Sequence, residues 1–586
     1  MRLAPLVFVL AVVFVLGASR SGRAADPSPP LAQLFPESTV AYAEIASPAK
    51  FVEAIYDHPI ADKLQNDEKF QPLLATPEYA KFRLGLGVAE LTIGMSWRKA
   101  VEQLTAGGVA VGFDEKTQGA ALVSRAADAE SLDRLLKTAL KLARDDARNK
   151  GQGDPIKTSD YRGATIYQLD RLKLAVSGAW WIATENEALG KLIVDRVVDG
   201  GDGTSLASGA SFRTARAHRS DKSLVWSCVR LDLLRESGKA SGLFRGKAEN
   251  AAAEMLFGPF LTALQKAEMV TASVDRIDDD FAVRLAMPFD VAWLPEERSY
   301  AFGEKGDGRA PSLLRPAGTI LNLSTYRDLS AFWNSGPDLF DETANAQLNK
   351  ANSDLSTLFS GRDFAQDVLG SIRPEWQVVV ARQDYRQSVA TPDMKLPAGA
   401  LVVQLREPEK TKREWKVTFQ SLIGFLNVVS SMQGQPPLEL DSEKVDGIQL
   451  VTAAYMPPEA GKKPAPGAIQ YNFSPTLAIT DTRMVIGSTR QIALDLARSP
   501  EGTDGVAKPE VAINSQLAID VAPLRSVLQD NREQLIARSM LEKGHARIAA
   551  EGEVDVLLKL AELVRGLDVR LQRAGKDLEL QLRLGL

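Results

Sequence analysis

A turn followed by a short strand occurs twice in this chain, and the repetition constrains the fold more than any other feature. Residues 35–45 contain Pro36 and Thr39 ahead of an apolar, strand-like run. The proline and the threonine recur 280 positions later, at Pro316 and Thr319, again ahead of an apolar run. Because 586 residues are too many for a single core, several domains are expected. We therefore interpret the chain as two copies of one domain.

Each copy continues with a predicted hairpin, at residues 109–123 and 378–403, and then with a long amphipathic helix. Asp128 is suited to cap the first helix, and Pro408 occupies a favoured first-turn position of the second. The apolar residues of the first helix share one face: Leu132, Leu135, Leu136, Ala139 and Leu142. Those of the second form a similar stripe: Trp415, Phe419, Leu422, Ile423 and Leu426.

A strand followed directly by a helix is predicted in both copies at an offset of 304. The two segments are residues 181–187 and 485–491. Each strand ends at a hydroxyl residue, Thr184 or Ser488, and each has Glu or Gln three residues later. This spacing is typical of a capping box, in which both side chains satisfy free amide groups at the helix start. The matching positions support duplication.

The two copies also end in the same way. Residues 281–287 and 578–584 alternate between apolar and polar side chains at an offset of 297, which predicts half-buried strands. Each follows a turn-forming segment, at 278–280 or 574–575, so each is the second arm of a hairpin. The change in offset along the chain is the result expected from loop insertions.

Predicted hairpins outnumber parallel crossovers, which favours antiparallel sheets. We therefore expect an α+β fold of two tandem copies, each a mainly antiparallel sheet with helices packed on one face. The expected divisions are a signal peptide at 1–24, a first copy at 25–292, a linker at 293–313 and a second copy at 314–586. The alternative is a chance likeness between two unrelated α+β domains.

The amino-terminal residues are typical of a secretory signal peptide. Arg2 precedes an apolar run at 5–18, and the small residues Gly22, Ala24 and Ala25 follow. This order predicts cleavage after Ala24 and a periplasmic or secreted protein. The apolar run is shorter than the roughly 20 residues that span a bilayer, although an uncleaved membrane anchor is an alternative. No later segment is apolar enough to suggest a membrane span.

Composition excludes several classes of function. The 70 basic and 75 acidic residues give a charge of -5, without the basic stripe that nucleic-acid binding requires.

Cys228 is the single cysteine and lies in an apolar run, which predicts a buried, unreactive thiol. The three histidines, His58, His218 and His545, are isolated in sequence, so a zinc site is not expected.

Short motifs are weak evidence for catalysis here. Ser-x-x-Lys occurs at 47–50 and 96–99, but the companion motifs of penicillin-recognising enzymes are absent. The acidic loops at 199–204 and 278–280 lack a complete calcium-binding pattern. Residues 85–87 lack the third glycine of a dinucleotide fingerprint. We therefore assign no catalytic, cofactor-binding or metal-binding residue.

Three tryptophans on predicted strands could form the floor of a ligand groove or belong to a core: Trp180, Trp181 and Trp226. Core residues are the more common outcome for strand tryptophans.

The mature amino terminus, 35–42 followed by a helix with Phe51, resembles a group of uncharacterised exported bacterial proteins. The resemblance implies a cell-envelope protein without an assigned activity. We expect a non-enzymatic protein that binds a small-molecule or protein partner in the envelope, or has a structural role there. One alternative is an extracytoplasmic hydrolase with an unlocated serine or carboxylate site. Another is a carrier of an apolar ligand, which requires a dry cavity between sheet and helices.

Overall fold

The computed structural model describes residues 29–67, 76–244, 250–359, 361–387, 390–432, 434, 436–457, 469–500 and 511–586. The expected signal peptide at 1–24 lies outside these residues. The described chain forms two compact units. Unit 1 comprises the described part of Met1–Gly242 together with Ala267–Pro288, and unit 2 comprises Leu243–Lys266 and Phe289–Leu586. Both contain helices and antiparallel strands, which confirms the α+β class.

The described part of unit 1 contains ten strands. In chain order they are β1 (Thr39–Ile45), β2 (Val109–Asp114), β3 (Gly119–Arg125), β4 (Ile156–Tyr161), β5 (Ala164–Leu169), β6 (Leu172–Ser177), β7 (Trp180–Thr184), β8 (Ser223–Arg230), β9 (Met269–Ile277) and β10 (Asp280–Pro288). Their order across the sheet is β4-β5-β6-β7-β3-β2-β1-β8-β9-β10, and each of these neighbouring pairs is antiparallel.

The described part of unit 2 also contains ten strands. They are β11 (Thr319–Tyr326), β12 (Ile372–Ala381), β13 (Ala398–Leu405), β14 (Leu438–Val445), β15 (Ile448–Tyr455), β16 (Thr476–Ile479), β17 (Met484–Gly487), β18 (Val511–Asp520), β19 (Gly566–Ala574) and β20 (Asp577–Gly585). Their order is β14-β15-β16-β17-β13-β12-β11-β18-β19-β20, again antiparallel throughout. This is the order of unit 1 with each strand number raised by ten.

Shifts of the strand register also fall at corresponding places in the two units. The β1–β2 register shifts between Thr39 and Ala41, and the β11–β12 register shifts between Thr319 and Leu321, at the predicted offset of 280. The β8–β9 and β18–β19 pairs each contain one shift as well. The predicted closing hairpins are confirmed as β9–β10 and β19–β20, with two-residue turns and an offset of 297.

The capping prediction is wrong in its detail. The helix caps are Asn186 and Thr489, 303 positions apart, and each side-chain oxygen accepts a bond from the backbone N–H three residues later. Thr184 instead donates its hydroxyl to the Ala120 carbonyl at 2.7 Å, which holds it in the sheet. The chain therefore needs further residues to leave the strand before the helix begins.

Unit 1 has helices on both faces of its sheet, which corrects the expectation of one covered face. They are α1 (Pro48–Tyr56), α2 (Pro59–Asn66), α3 (Pro77–Ile93), α4 (Trp97–Leu104), α5 (Ala129–Asn149), α6 (Glu187–Val198), α7 (Ala210–Ala217) and α8 (Leu231–Glu236). Ile182 of β7 packs with Leu189 and Ile193 of α6, whereas Trp181 packs with Leu132 of α5. Adjacent strand residues point to opposite faces and both are apolar, so both faces require cover.

Unit 2 also has helices on both faces of its strands. Its helices are α9 (Ala251–Lys266), α10 (Leu329–Asn334), α11 (Gly336–Leu339), α12 (Glu342–Leu358), α13 (Pro408–Met432), α14 (Arg490–Arg498), α15 (Val521–Asp530), α16 (Arg532–Lys543) and α17 (Arg547–Leu563). Met484 of β17 packs with Phe419 and Ile423 of α13 on one face. Val485 packs with Ile492 of α14 on the other.

The boundary between the units differs from the one expected from the sequence. Helix α9 groups with unit 2, although the strands on either side of it belong to unit 1. The segment expected as a linker, 293–313, also groups with unit 2. Within it, Tyr300 and Phe302 are each only 1% exposed. Burying large aromatic side chains is favourable, so this segment is part of a core.

Among the helices in the described ranges, none combines the length and the apolar character needed to cross a membrane.

Candidate functional site

An apolar cavity of about 580 Å³ lies within unit 1, between the sheet and three helices. Helices α3, α4 and α5 form its walls, and Leu174 of β6 and Trp181 of β7 form its floor. Small-molecule sites in proteins typically measure roughly 300–1,000 Å³ and are mostly apolar. This cavity has that size and character.

Helix α3 contributes one of its faces to the cavity. Thr76 caps the helix, Pro77 occupies its first position, and Gly94 ends it with a φ of 72° that favours glycine. The lining residues recur at helical spacing: Lys81, Leu84, Gly85, Val88, Ala89, Thr92 and Ile93. From the first to the last of these the helix rises about 18 Å, so the cavity is bounded by an elongated wall.

Helix α5 forms the facing wall, and the sequence predicted it well. The Asp128 carboxylate accepts a bond from the Ser131 N–H at 2.7 Å, which confirms the expected cap and lowers the pKa of Asp128. All five residues of the predicted apolar face line the cavity: Leu132, Leu135, Leu136, Ala139 and Leu142. An apolar helix face is expected to pack on a core. In α5, these five residues of that face instead line the cavity.

One of the three candidate tryptophans lies at the cavity. Trp181 is 4% exposed, and its indole N–H donates to the Leu104 carbonyl at 2.8 Å, so its polar atom is satisfied without a ligand. Trp226 belongs to the core on the other face of the sheet, beside Tyr42 and Phe212. Trp180 packs against that same core.

The hydroxyls of two threonines that line the walls donate to backbone carbonyls of their own helices. The Thr92 hydroxyl donates to the Val88 carbonyl at 2.7 Å, and the Thr138 hydroxyl donates to the Arg134 carbonyl at 3.0 Å. These hydroxyls are therefore satisfied without a ligand, and carbon dominates the surface that a ligand would contact.

The cavity leaves large apolar side chains open to solvent. Leu84 is 71% exposed and Val88 is 55% exposed, although both line the cavity. Neighbouring Leu91 on α3 is 86% exposed. Contiguous exposed apolar surface commonly marks a binding site, because covering it is favourable by about 25 cal/mol per Å².

A second depression, of about 460 Å³, lies within unit 2 and has a mixed polar and apolar lining. Its charged groups already have protein partners: Arg382 pairs with Asp530, and Arg490 pairs with Glu443. Hydrogen bonds from Arg386 lower the pKa of Asp384 to about 2. Because these charged groups are already paired, a ligand would gain less binding free energy here than in the apolar cavity of unit 1.

The Ser-x-x-Lys motifs begin helices and form no catalytic arrangement. Ser47 caps α1 and Ser96 caps α4, and each hydroxyl accepts a bond from the backbone N–H of the lysine three residues later. Residues 85–87 lie inside α3 and form no phosphate loop.

The acidic loops have structural roles. Asp199 ends α6 and binds Arg162 at 2.8 Å, and Asp278 and Asp279 form the β9–β10 turn. Among the described residues, no cluster of three or more His, Cys, Asp or Glu could hold a metal ion.

Cys228 and the histidines have local partners. Cys228 is buried, as predicted, and burial raises the pKa of its thiol to about 12. His58 caps α2 and contacts the Asp279 carbonyl at 2.9 Å, and His218 ends α7.

The third histidine, His545, lies beside a serine and a glutamate in unit 2. The Ser539 hydroxyl and the Glu553 carboxylate both approach Nδ1 of His545, at 3.5 and 3.1 Å. A catalytic triad needs the serine on one ring nitrogen and the carboxylate on the other. The Ser539 hydroxyl also donates directly to Glu553 at 2.8 Å, so the cluster lacks the arrangement of a triad.

No known protein family matches the sequence, and no curated protein matches it either. Three solved structures are similar to part of the chain, namely crystal forms IV, I and III of TP0453. They are 12%, 11% and 12% identical, with TM-scores of 0.24, 0.25 and 0.24. They cover 44%, 46% and 46% of this chain, and 81%, 81% and 83% of the matched chains. We draw no conclusion from a likeness this distant.

Proposed function

We propose that this protein is a non-enzymatic binding protein that holds an elongated apolar ligand in the cavity of unit 1. The observation that supports this proposal is the cavity itself, about 580 Å³ between α3, α5 and the sheet, with carbon on most of its surface. Even an engineered apolar cavity of about 150 Å³ stays dry and binds small hydrocarbons.

The energetics favour a chain-like ligand. Each CH₂ group buried from water contributes about 0.8 kcal/mol, so ten buried groups contribute about 8 kcal/mol. That is roughly the free energy of a micromolar complex, before the cost of ordering the ligand is subtracted. The wall of about 18 Å along α3 suits a chain that lies parallel to the helix.

Binding of straight-chain alcohols is expected to strengthen with chain length. For 1-octanol, 1-decanol and 1-dodecanol, each added CH₂ should tighten binding by about fourfold, the factor that corresponds to about 0.8 kcal/mol, until the cavity is full. Isothermal titration calorimetry on the full-length protein measures this series. Absence of binding, or affinities that do not change with chain length, would contradict the proposal.

We also propose that units 1 and 2 are copies of one module. The shared order of ten strands, the corresponding register shifts and the corresponding closing hairpins support this interpretation. The alternative of two unrelated domains requires all three agreements to be coincidental. An experimental structure in which the two strand orders differ would overturn the proposal.

The sequence supports an exported protein of the bacterial envelope, in keeping with the resemblance at 35–42. Cleavage after Ala24 should give a mature chain that starts at Ala25. Intact-mass measurement of the protein purified from the envelope or medium of its own host checks this. A mass that includes Met1 and the following residues would instead indicate an uncleaved anchor.

A further inference from the structure

Among the described residues, three charged side chains line the apolar cavity of unit 1: Lys81 on α3, and Asp145 and Asp146 on α5. Both aspartates have cationic partners nearby, one on α5 and one directly after its last residue. Asp145 lies 3.7 Å from Arg148, and Asp146 pairs with Lys150. Their negative charges are therefore already compensated without a ligand.

Lys81 differs from these aspartates because it has no hydrogen-bond or ion-pair partner among the described residues. It is exposed, and it is the first residue of the α3 face that lines the cavity, which places Lys81 at one end of that wall. The carbon walls begin one turn further along, at Leu84 and Gly85. Within the described part of unit 1, this end of the cavity thus has one positive charge without an ion-pair partner, next to an apolar channel.

We propose that the ligand is a single-chain amphiphile with an anionic head group, such as a fatty carboxylate, whose head pairs with Lys81. This inference rests on the proposed function, because it assigns the head group of a ligand whose chain occupies the cavity. An anionic head would compensate Lys81, whereas a cationic head would be repelled by it. A neutral head would leave the Lys81 charge without a partner.

The test compares dodecanoate with 1-dodecanol, which share a chain and differ in head-group charge. Lys81→Met keeps the apolar stem of the side chain and removes the charge. At pH 8, where the carboxylate is ionised, this variant should bind dodecanoate about fivefold more weakly than the unaltered protein, a factor that corresponds to the upper range of exposed ion pairs. Its affinity for 1-dodecanol should not change.

Lys141→Met is the matched control. Lys141 is an exposed lysine of α5 that does not line the cavity, so its removal should leave both affinities unchanged. Calorimetry at 50 mM and 500 mM NaCl adds a second readout. The preference for dodecanoate that depends on Lys81 should shrink at high salt, because exposed charges are screened there.

The outcomes separate the two proposals. If both probes bind and Lys81→Met changes neither affinity, the head-group inference is wrong and the apolar-ligand function stands. Tighter binding of dodecyltrimethylammonium than of dodecanoate would also overturn the inference. If none of the probes binds, the proposed function fails and the inference fails with it.

Discussion

A tryptophan in place of Ala139 is expected to weaken the binding of 1-dodecanol by about a hundredfold or more. Ala139 lies near the middle of the α5 face that lines the cavity, and its side chain is partly buried. An indole there would fill the space between α5 and α3 and divide the channel. If four CH₂ groups lose their site, about 3 kcal/mol of binding free energy is lost.

The stability of the protein should change less than the binding, because the indole extends into existing empty space, although Ala139 also packs beside Ala143 and Ile156. Lys141→Trp is the matched control, since it adds the same side chain to α5 two residues away, on the opposite, exposed face. Calorimetry gives the affinities and thermal unfolding gives the stabilities. Near-normal binding by Ala139→Trp would contradict the placement of the ligand in this cavity.

The largest expected effect on stability is in unit 2, at an ion pair that is almost completely buried. Glu254 of α9 is 0% exposed and Arg298 is 3% exposed. Two hydrogen bonds join their side chains, at 2.7 and 3.0 Å. Tyr300 donates to the Glu254 backbone carbonyl at 2.7 Å, and burial raises the pKa of this tyrosine well above its usual value, so it stays a donor.

Glu254→Gln is expected to destabilise the protein by about 3–5 kcal/mol. The glutamine has nearly the same shape but leaves the Arg298 cation buried without a counter-charge, and breaking a buried pair by removing one partner has a cost of this size. For a unit of this length the midpoint of thermal unfolding should fall by roughly 10 °C. Differential scanning calorimetry measures the shift.

Two controls separate the buried charge from a general loss of hydrogen bonding. Glu551→Gln breaks an exposed pair with Arg547 on α17 and should cost less than about 0.5 kcal/mol. The double variant Glu254→Leu with Arg298→Met removes both charges and should recover much of the loss. If Glu254→Gln and Glu551→Gln lowered the free energy of unfolding equally, burial of the Glu254–Arg298 pair would not explain the loss of stability.

Several features were predictable because they depend on residues close together in the chain. The alternating side chains of β10 and β20 predicted strands, and the turn residues before them predicted hairpins. Asp128 and the apolar face that follows it predicted the cap and the lining face of α5. In each of these cases the local period or the turn chemistry is enough.

Helix α3 was missed, although signals for it are present in the sequence. Thr76 and Pro77 are typical of a helix start, and Gly94 is typical of a helix end. Between these two ends, Leu84, Val88 and Leu91 recur at helical spacing. That spacing would have indicated a helix, but it could not have shown that the apolar side chains remain exposed.

The sequence by itself therefore determined the strands, the short turns and the apolar faces of this protein, because these follow from periodicity and local hydrogen bonding. Only the tertiary structure decided that both sheet faces carry helices, that α9 and residues 293–313 pack in unit 2, and that α3 stands away from α5. These features depend on which distant apolar surfaces meet and how completely they fill the space between them. A residue pattern specifies that a face is apolar, but the packing of the whole unit determines whether that face is covered by protein or left open to a ligand.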